Sequence, residues 1–183
     1  MNLLLLGKSN VGKSSIYNIL TRSNTNIIHK DCGTTRDWHQ EKIFSTTDHY
    51  IYDTPGVILG SNNKIKPINV LEKLLSKIDV FLFVIDYKSI SNPLDNEAIN
   101  LLRKYNKEIL LIINKVDNLN NKISYDHYKH GIKKIFILSC AHKFGFDTLL
   151  KFIQSSPSIG SFAKDSIDKK SDYSIAIFGK PNV

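Results

Sequence analysis

Four short strings along this chain have the residue types and spacing for phosphate and purine chemistry. The first, Gly7 to Ser14, reads GKSNVGKS. Gly7 and Gly12 allow a tight backbone whose successive N–H groups can converge on phosphate oxygens, and a following helix N-terminus adds positive potential there. Lys13 would reach the β- and γ-phosphates, and Ser14 would hold Mg²⁺. Lys8, Ser9, Asn10 and Val11 complete the cradle, with Ser15 following it. An apolar run before the loop and SSIYNIL after it supply the strand–loop–helix setting that such a pattern requires.

The other strings follow in order. Asp53-Thr54-Pro55-Gly56 is succeeded by Val57. Its aspartate can act on Mg²⁺ through water, and the N–H of Gly56 can meet the γ-phosphate. Asn114-Lys115-Val116-Asp117 ends an apolar run. The Asp117 carboxylate can accept from guanine N1–H and N2–H₂, a donor pair that adenine lacks. Losing such a pairing costs about 2–5 kcal/mol, enough to select GTP over ATP. Asn114 would brace loop and base, and the Lys115 stem would cover the ring. Ser139-Cys140-Ala141 would present backbone N–H to guanine O6. Each string alone is common. All four in this order, each at a strand end, imply binding and hydrolysis of a guanine nucleotide.

The elements that must carry these strings are legible in the hydrophobic pattern. Residues 2–6 read as a buried strand, and Ser14 to Arg22 as a helix with Ile16, Ile19 and Leu20 inward. Residues 23–39 are polar and aperiodic, a mobile loop by pattern. Lys42–Ser45 and Tyr50–Tyr52 flank a polar TTDH turn and read as a hairpin. Thr54 to Lys66 is a second irregular loop, and Ile68 to Lys77 an amphipathic helix. Val80–Asp86, Ile109–Ile113 and Ile135–Ser139 read as further strands. Asn96 to Tyr105, a short stretch near Tyr125–His130, and Phe146–Gln154 read as helices. The alternation predicts an α/β P-loop NTPase fold (a Ras-like G domain), with a mostly parallel six-stranded sheet and helices on both faces. Ligand then belongs at the carboxyl ends of the strands.

Residues 1–154 are the expected domain, and residues 155–172, rich in Ser, Lys, Asp and Gly, the expected linker. Residues 173–183 restart a strand and end in GKPNV, an echo of GKSNV at residues 7–11. This repetition predicts the beginning of a second, similar domain.

Composition narrows the class. The 183 residues are 42% hydrophobic and 23% charged, ordinary for a globular domain. The longest apolar runs fall far short of a membrane span, so no membrane partner is expected. MNLLLL lacks the basic start of a signal peptide. Two cysteines, Cys32 and Cys140, are too few for a disulfide framework and fit a reducing cytoplasm. The six histidines show no zinc spacing. A formal charge of +8 has two readings, the lysine-rich composition of an AT-rich genome or an RNA-rich partner. No DNA partner is expected.

The four strings together resemble the TrmE–Era–EngA–EngB group of GTPases. Gly33-Thr34-Thr35-Arg36-Asp37 is similar to the G-x-T-R-D switch I of the EngA (Der) family, whose members carry two GTPase domains in tandem. SCAHKFG at residues 139–145 resembles that family's S-A-x-H-x-x-G base loop, and the terminal GKPNV the opening of its second phosphate loop. The resemblance covers roughly residues 1–154 and the last ten. Departures are GKSN for the usual GRPN, which is similar to the EngB loop, DTPG for DTGG, and Cys140 for alanine. The linker, too, is not markedly acidic.

The resemblance implies more. Thr35, with Thr34 as the alternative, would bind Mg²⁺ in the GTP state, and Lys13, Thr35 and Gly56 would form the catalytic set. Val57 stands where Ras-like enzymes have the glutamine that orients water. The resemblance implies that this valine swings aside, that switch I positions the water, and that K⁺ replaces an arginine finger. Asn10 would ligate that K⁺, or else make a local turn hydrogen bond. By residue type alone, Arg36 is expected to be a solvated charge or a phosphate contact, and Trp38 to pack beneath switch I or to touch ligand. The implied partner is the maturing large ribosomal subunit and its rRNA. Two alternatives remain: an Era-, EngB- or TrmE-like GTPase domain, or a non-hydrolysing GTP-dependent docking module.

Overall fold

A computed structural model of the chain describes residues 1–23, 39–46, 48–53, 74–88, 93–117 and 128–156. The elements are β1 (Asn2–Leu6), α1 (Lys13–Thr21), β2 (His39–Lys42), β3 (Tyr50–Asp53), β4 (Val80–Asp86), α2 (Pro93–Arg103), β5 (Glu108–Asn114), β6 (Ile135–Ile137) and α3 (Phe146–Ser155). They build a six-stranded sheet in the order β2-β3-β1-β4-β5-β6. β2 is antiparallel to β3, and every other pairing is parallel.

The central strands have no polar alternation because the sheet is covered on both sides. In β1, Leu3 and Leu5 enter one core with Val80, Leu82 and Val84 of β4, where Ile16 and Leu20 of α1 and Leu149 and Ile153 of α3 meet them. Leu4 and Leu6 point to the other face, against Phe81 and Phe83, beneath Ala98, Ile99 and Leu102 of α2 and Leu74 and Leu75. Helices therefore lie on both faces, as the pattern predicted.

From β1 the chain builds outward to β3 on one side and to β4 on the other. At such a reversal the connections leave a crevice beyond the carboxyl ends of the strands. Register sets the site's dimensions there. Leu5 lies opposite Asp53, Leu6 opposite Phe83, and Asp86 opposite Asn114.

Three of the differences from the expected boundaries have a visible physical cause. The first hairpin strand is His39–Lys42, not Lys42–Ser45. Ile43 still pairs with His49, but the N–H of Phe44 donates to Leu20 O at the end of α1 (2.8 Å), which takes the chain out of the ladder. α2 begins at Pro93, earlier than Asn96. Proline suits a first helical position, and Asp95 complements the positive end of the helix. β6 stops at Ile137, because Ser139 turns away to bridge Phe144. Most of the expected helix Ile68 to Lys77, half of the short one near Tyr125, the loops over residues 24–38 and 54–66, and all but the first two residues of the expected linker lie outside the described residues. So does the GKPNV echo.

Ile112, wholly buried in β5, tests the two-sided core. Truncation by Ile112→Ala should cost about 2–5 kcal/mol, read as a lower urea midpoint at unchanged slope.

Candidate functional site

The phosphate loop joins β1 to α1, and its glycines answer two close approaches. Gly7 has φ +139°, and a Cβ there would lie 2.2 Å from Val84 O on β4. Gly12 has φ +98°, and its Cβ would lie 2.2 Å from the Asn114 amide nitrogen. That nitrogen donates to Val11 O at 2.8 Å. The loop is thus wrapped around a side chain from the end of β5, over a hundred residues away.

Lys13 folds back over the loop and donates from Nζ to Gly7 O at 2.9 Å and Lys8 O at 2.5 Å. It is 6% exposed. Burial lowers its pKa, and nearby Asp53 partly opposes that. Such an ammonium is held by neutral carbonyls and is poised for an anion. Ser14 Oγ donates to Asp53 Oδ2 at 2.9 Å, across from the end of β3. Ser9 and Asn10 stand exposed at the loop tip, with Asn10 left-handed at φ 64°. Ser15 is exposed on the first turn of α1.

The second half of the site grows from β5. Asn114 is buried, and its Oδ1 accepts from Cys140 Sγ at 3.3 Å. Lys115, left-handed at φ 64°, pairs with Asp86 at 2.9 Å. Burial pushes the Asp86 carboxyl up, yet the hydrogen bonds from Lys115 and from the Lys88 backbone N–H outweigh it and hold it below its ordinary value. Val116 is buried and donates from its N–H to Leu138 O at 3.2 Å. Asp117 stays exposed, held through Oδ1 by Ser139 Oγ at 3.1 Å. Ser139 Oγ also accepts from the His142 N–H at 3.3 Å. Ala141 is exposed beside them.

Of the expected site residues, the structure gathers Gly7, Lys8, Ser9, Asn10, Val11, Gly12, Lys13, Ser14, Ser15, Asp53, Asn114, Lys115, Val116, Asp117, Ser139, Cys140 and Ala141 along one edge of the sheet. Thr34, Thr35, Thr54, Pro55, Gly56 and Val57 lie outside the described residues. Two acidic partners escaped sequence reasoning. Asp95 is 3% exposed and pairs with Lys8 at 2.9 Å, tying the loop to the first turn of α2. Asp86 closes the run VFLFVID directly opposite Asn114. A carboxylate ending a buried strand beside the NKVD strand was the available signal.

A glycine-rich loop between β1 and α1, with Asn114 and Asp117 beside it at the sheet switch point, defines a P-loop GTPase domain. A family model described as 50S ribosome-binding GTPase matches residues 2–115, and the chain belongs to that family. A GTPase Der of Sulfurihydrogenibium sp. is 34% identical over 190 residues, covering 97% of this chain and 42% of that protein. Another, from Finegoldia magna, is 32% identical over 185 residues, covering 98% and 41%. The chain therefore spans about two fifths of the length of these relatives. Among solved structures, a variant of Aquifex aeolicus Era bound to GDP·AlF₄⁻ superimposes with a TM-score of 0.64 at 25% identity, covering 86% of this chain and 57% of that one. The FeoB G-domain of Methanococcus jannaschii gives a TM-score of 0.60 at 26% identity, covering 83% and 94%.

The Asp86–Lys115 pair makes stability depend on pH. Asp86 has a lowered pKa in the fold, so its contribution is present above the unfolded carboxylate value near 4 and fades as pH falls through the lower folded value. Asp86→Asn should flatten the loss of stability as pH falls below about 4, read from urea midpoints along a pH series.

Proposed function

We propose that this domain binds GTP with Mg²⁺ at the carboxyl edge of the sheet, hydrolyses it, and serves as a switch during maturation of the large ribosomal subunit in the cytoplasm. The observation that carries this reading is the meeting, on one sheet edge, of a buried lysine, a serine–aspartate pair and an asparagine-braced aspartate. Lys13 can exchange the carbonyls of Gly7 and Lys8 for β- and γ-phosphate oxygens without leaving its place. The phosphates would then restore the charge that burial disfavours. The loop N–H groups and the start of α1 add their positive potential.

Ser14 Oγ and Asp53 Oδ2 are hard oxygen donors 2.9 Å apart. They fit Mg²⁺, which is held in such sites by one or two protein oxygens together with phosphates and water. When bound, Mg²⁺ would neutralise charge on the phosphate oxygens. Ser14 would be the direct ligand and Asp53 would act through water, with Thr35 or Thr34 completing the set in the GTP state. Gly56 would offer its N–H to the γ-phosphate. Asn10 is the proposed K⁺ ligand, and its exposed position at the loop tip supports that role.

At the other end, Ser139 holds Asp117 with one carboxylate oxygen, leaving capacity to accept from guanine. The Cys140 N–H would meet guanine O6. Membership of a family described as 50S ribosome-binding supports the ribosomal partner, as does the +8 charge, which favours phosphate backbones.

Two measurements test this reading. Phosphate release over many turnovers should be faster in KCl than in NaCl at matched ionic strength. Equal rates would remove the K⁺ assignment, and no release would leave a docking module. Asp117→Asn should weaken GDP binding about 10²-fold while improving binding of xanthosine diphosphate, whose 2-oxo group accepts from an amide. Unchanged selectivity would remove the assignment of Asp117 to the base.

A further inference from the structure

The Asn114 side chain is 1% exposed, and both ends of its amide are used. Nδ2 donates to Val11 O in the phosphate loop at 2.8 Å. Oδ1 accepts from the Cys140 thiol at 3.3 Å. Flipping the amide would set Oδ1 against the Val11 carbonyl, acceptor to acceptor. A Cβ at Gly12 would lie against the same nitrogen, so no larger residue fits there.

We infer that Cys140 is a positioning residue: its thiol holds the Asn114 amide in the orientation that ties the base-reading loop to the phosphate loop. This rests on the guanine-nucleotide reading above. One observation separates it from simple packing, and a second is compatible with it. First, the half-buried thiol is directed at an oxygen, and among the described residues it is the donor that reaches Asn114 Oδ1. Second, burial pushes the thiol pKa up to about 11, only partly offset by Asn114, so near neutrality it keeps its proton and remains a donor. The resembling base-loop pattern S-A-x-H-x-x-G has alanine here, which offers no donor. In this chain the residue whose backbone N–H is assigned to guanine O6 also reaches, through Asn114, the carbonyl of Val11. Base and phosphate ends thereby share one rigid link.

The test is GDP dissociation from the full chain carrying Cys140→Ala, Cys140→Val or Cys140→Ser. Alanine removes volume and donor, valine keeps volume without a donor, and serine keeps a donor. Ala and Val should each release GDP about 5- to 10-fold faster, the scale of one hydrogen bond, while Ser stays within about twofold of the parent. The preference for GDP over IDP, which lacks the 2-amino group, should be unchanged in all three, since Asp117 reads that group. Retention by Val together with loss in Ser would show a packing role and overturn the inference. So would Ala and Val rates equal to the parent's. Failure of the parent chain to bind GDP at all would instead sink the nucleotide reading.

Discussion

One amide holds the two halves of this site together. Asn114 leaves the end of β5 and donates to the carbonyl of Val11, so the loop after β1 takes its curvature from a side chain more than a hundred residues distant. Gly12 is required because Asn114 occupies the space a Cβ would need. The parallel register makes this geometry reproducible, since β1, β4 and β5 all end on the same edge. A loop free to sample many shapes would lose its converging N–H groups, and with them its preference for phosphate.

Around that amide the charges are arranged in pairs of opposite sense. Lys8 with Asp95 fastens the front of the loop to α2, and Lys115 with Asp86 fastens the guanine-side loop to β4. Lys13 is different. Its ammonium is buried on two carbonyls, and burial weakens its hold on its proton more than nearby Asp53 restores it. A protein keeps a desolvated cation at a cost. The expense is recovered only when an anion arrives, which is what a ligand-dependent fold element needs.

Much of this was legible in the order of residues, for a physical reason. β1, β4 and β5 are apolar on both faces because both are covered, so their existence and burial follow from composition. The phosphate loop and NKVD are equally plain because each is a contiguous string of fixed residue types, readable without knowing what it packs against. The start and end of β2 were not, since Phe44 leaves its strand for the carbonyl of Leu20, a tertiary contact with no local trace. Asp86 and Asp95 were missed for the same reason. Each owes its meaning to a lysine far along the chain. The thiol contact of Cys140 depends on β5 and the base loop being adjacent, which spacing alone does not reveal.

The bond from Phe44 N–H to Leu20 O gives α1 a second use. The helix begins inside the phosphate loop at Lys13 and is gripped at its far end by the hairpin turn that follows β2. Its nine residues span about 14 Å. α1 is therefore a strut with both ends pinned, one at the ligand edge and one at the opposite rim of the sheet. A tilt imposed at one end becomes a displacement at the other, with no flexible element between them to absorb it.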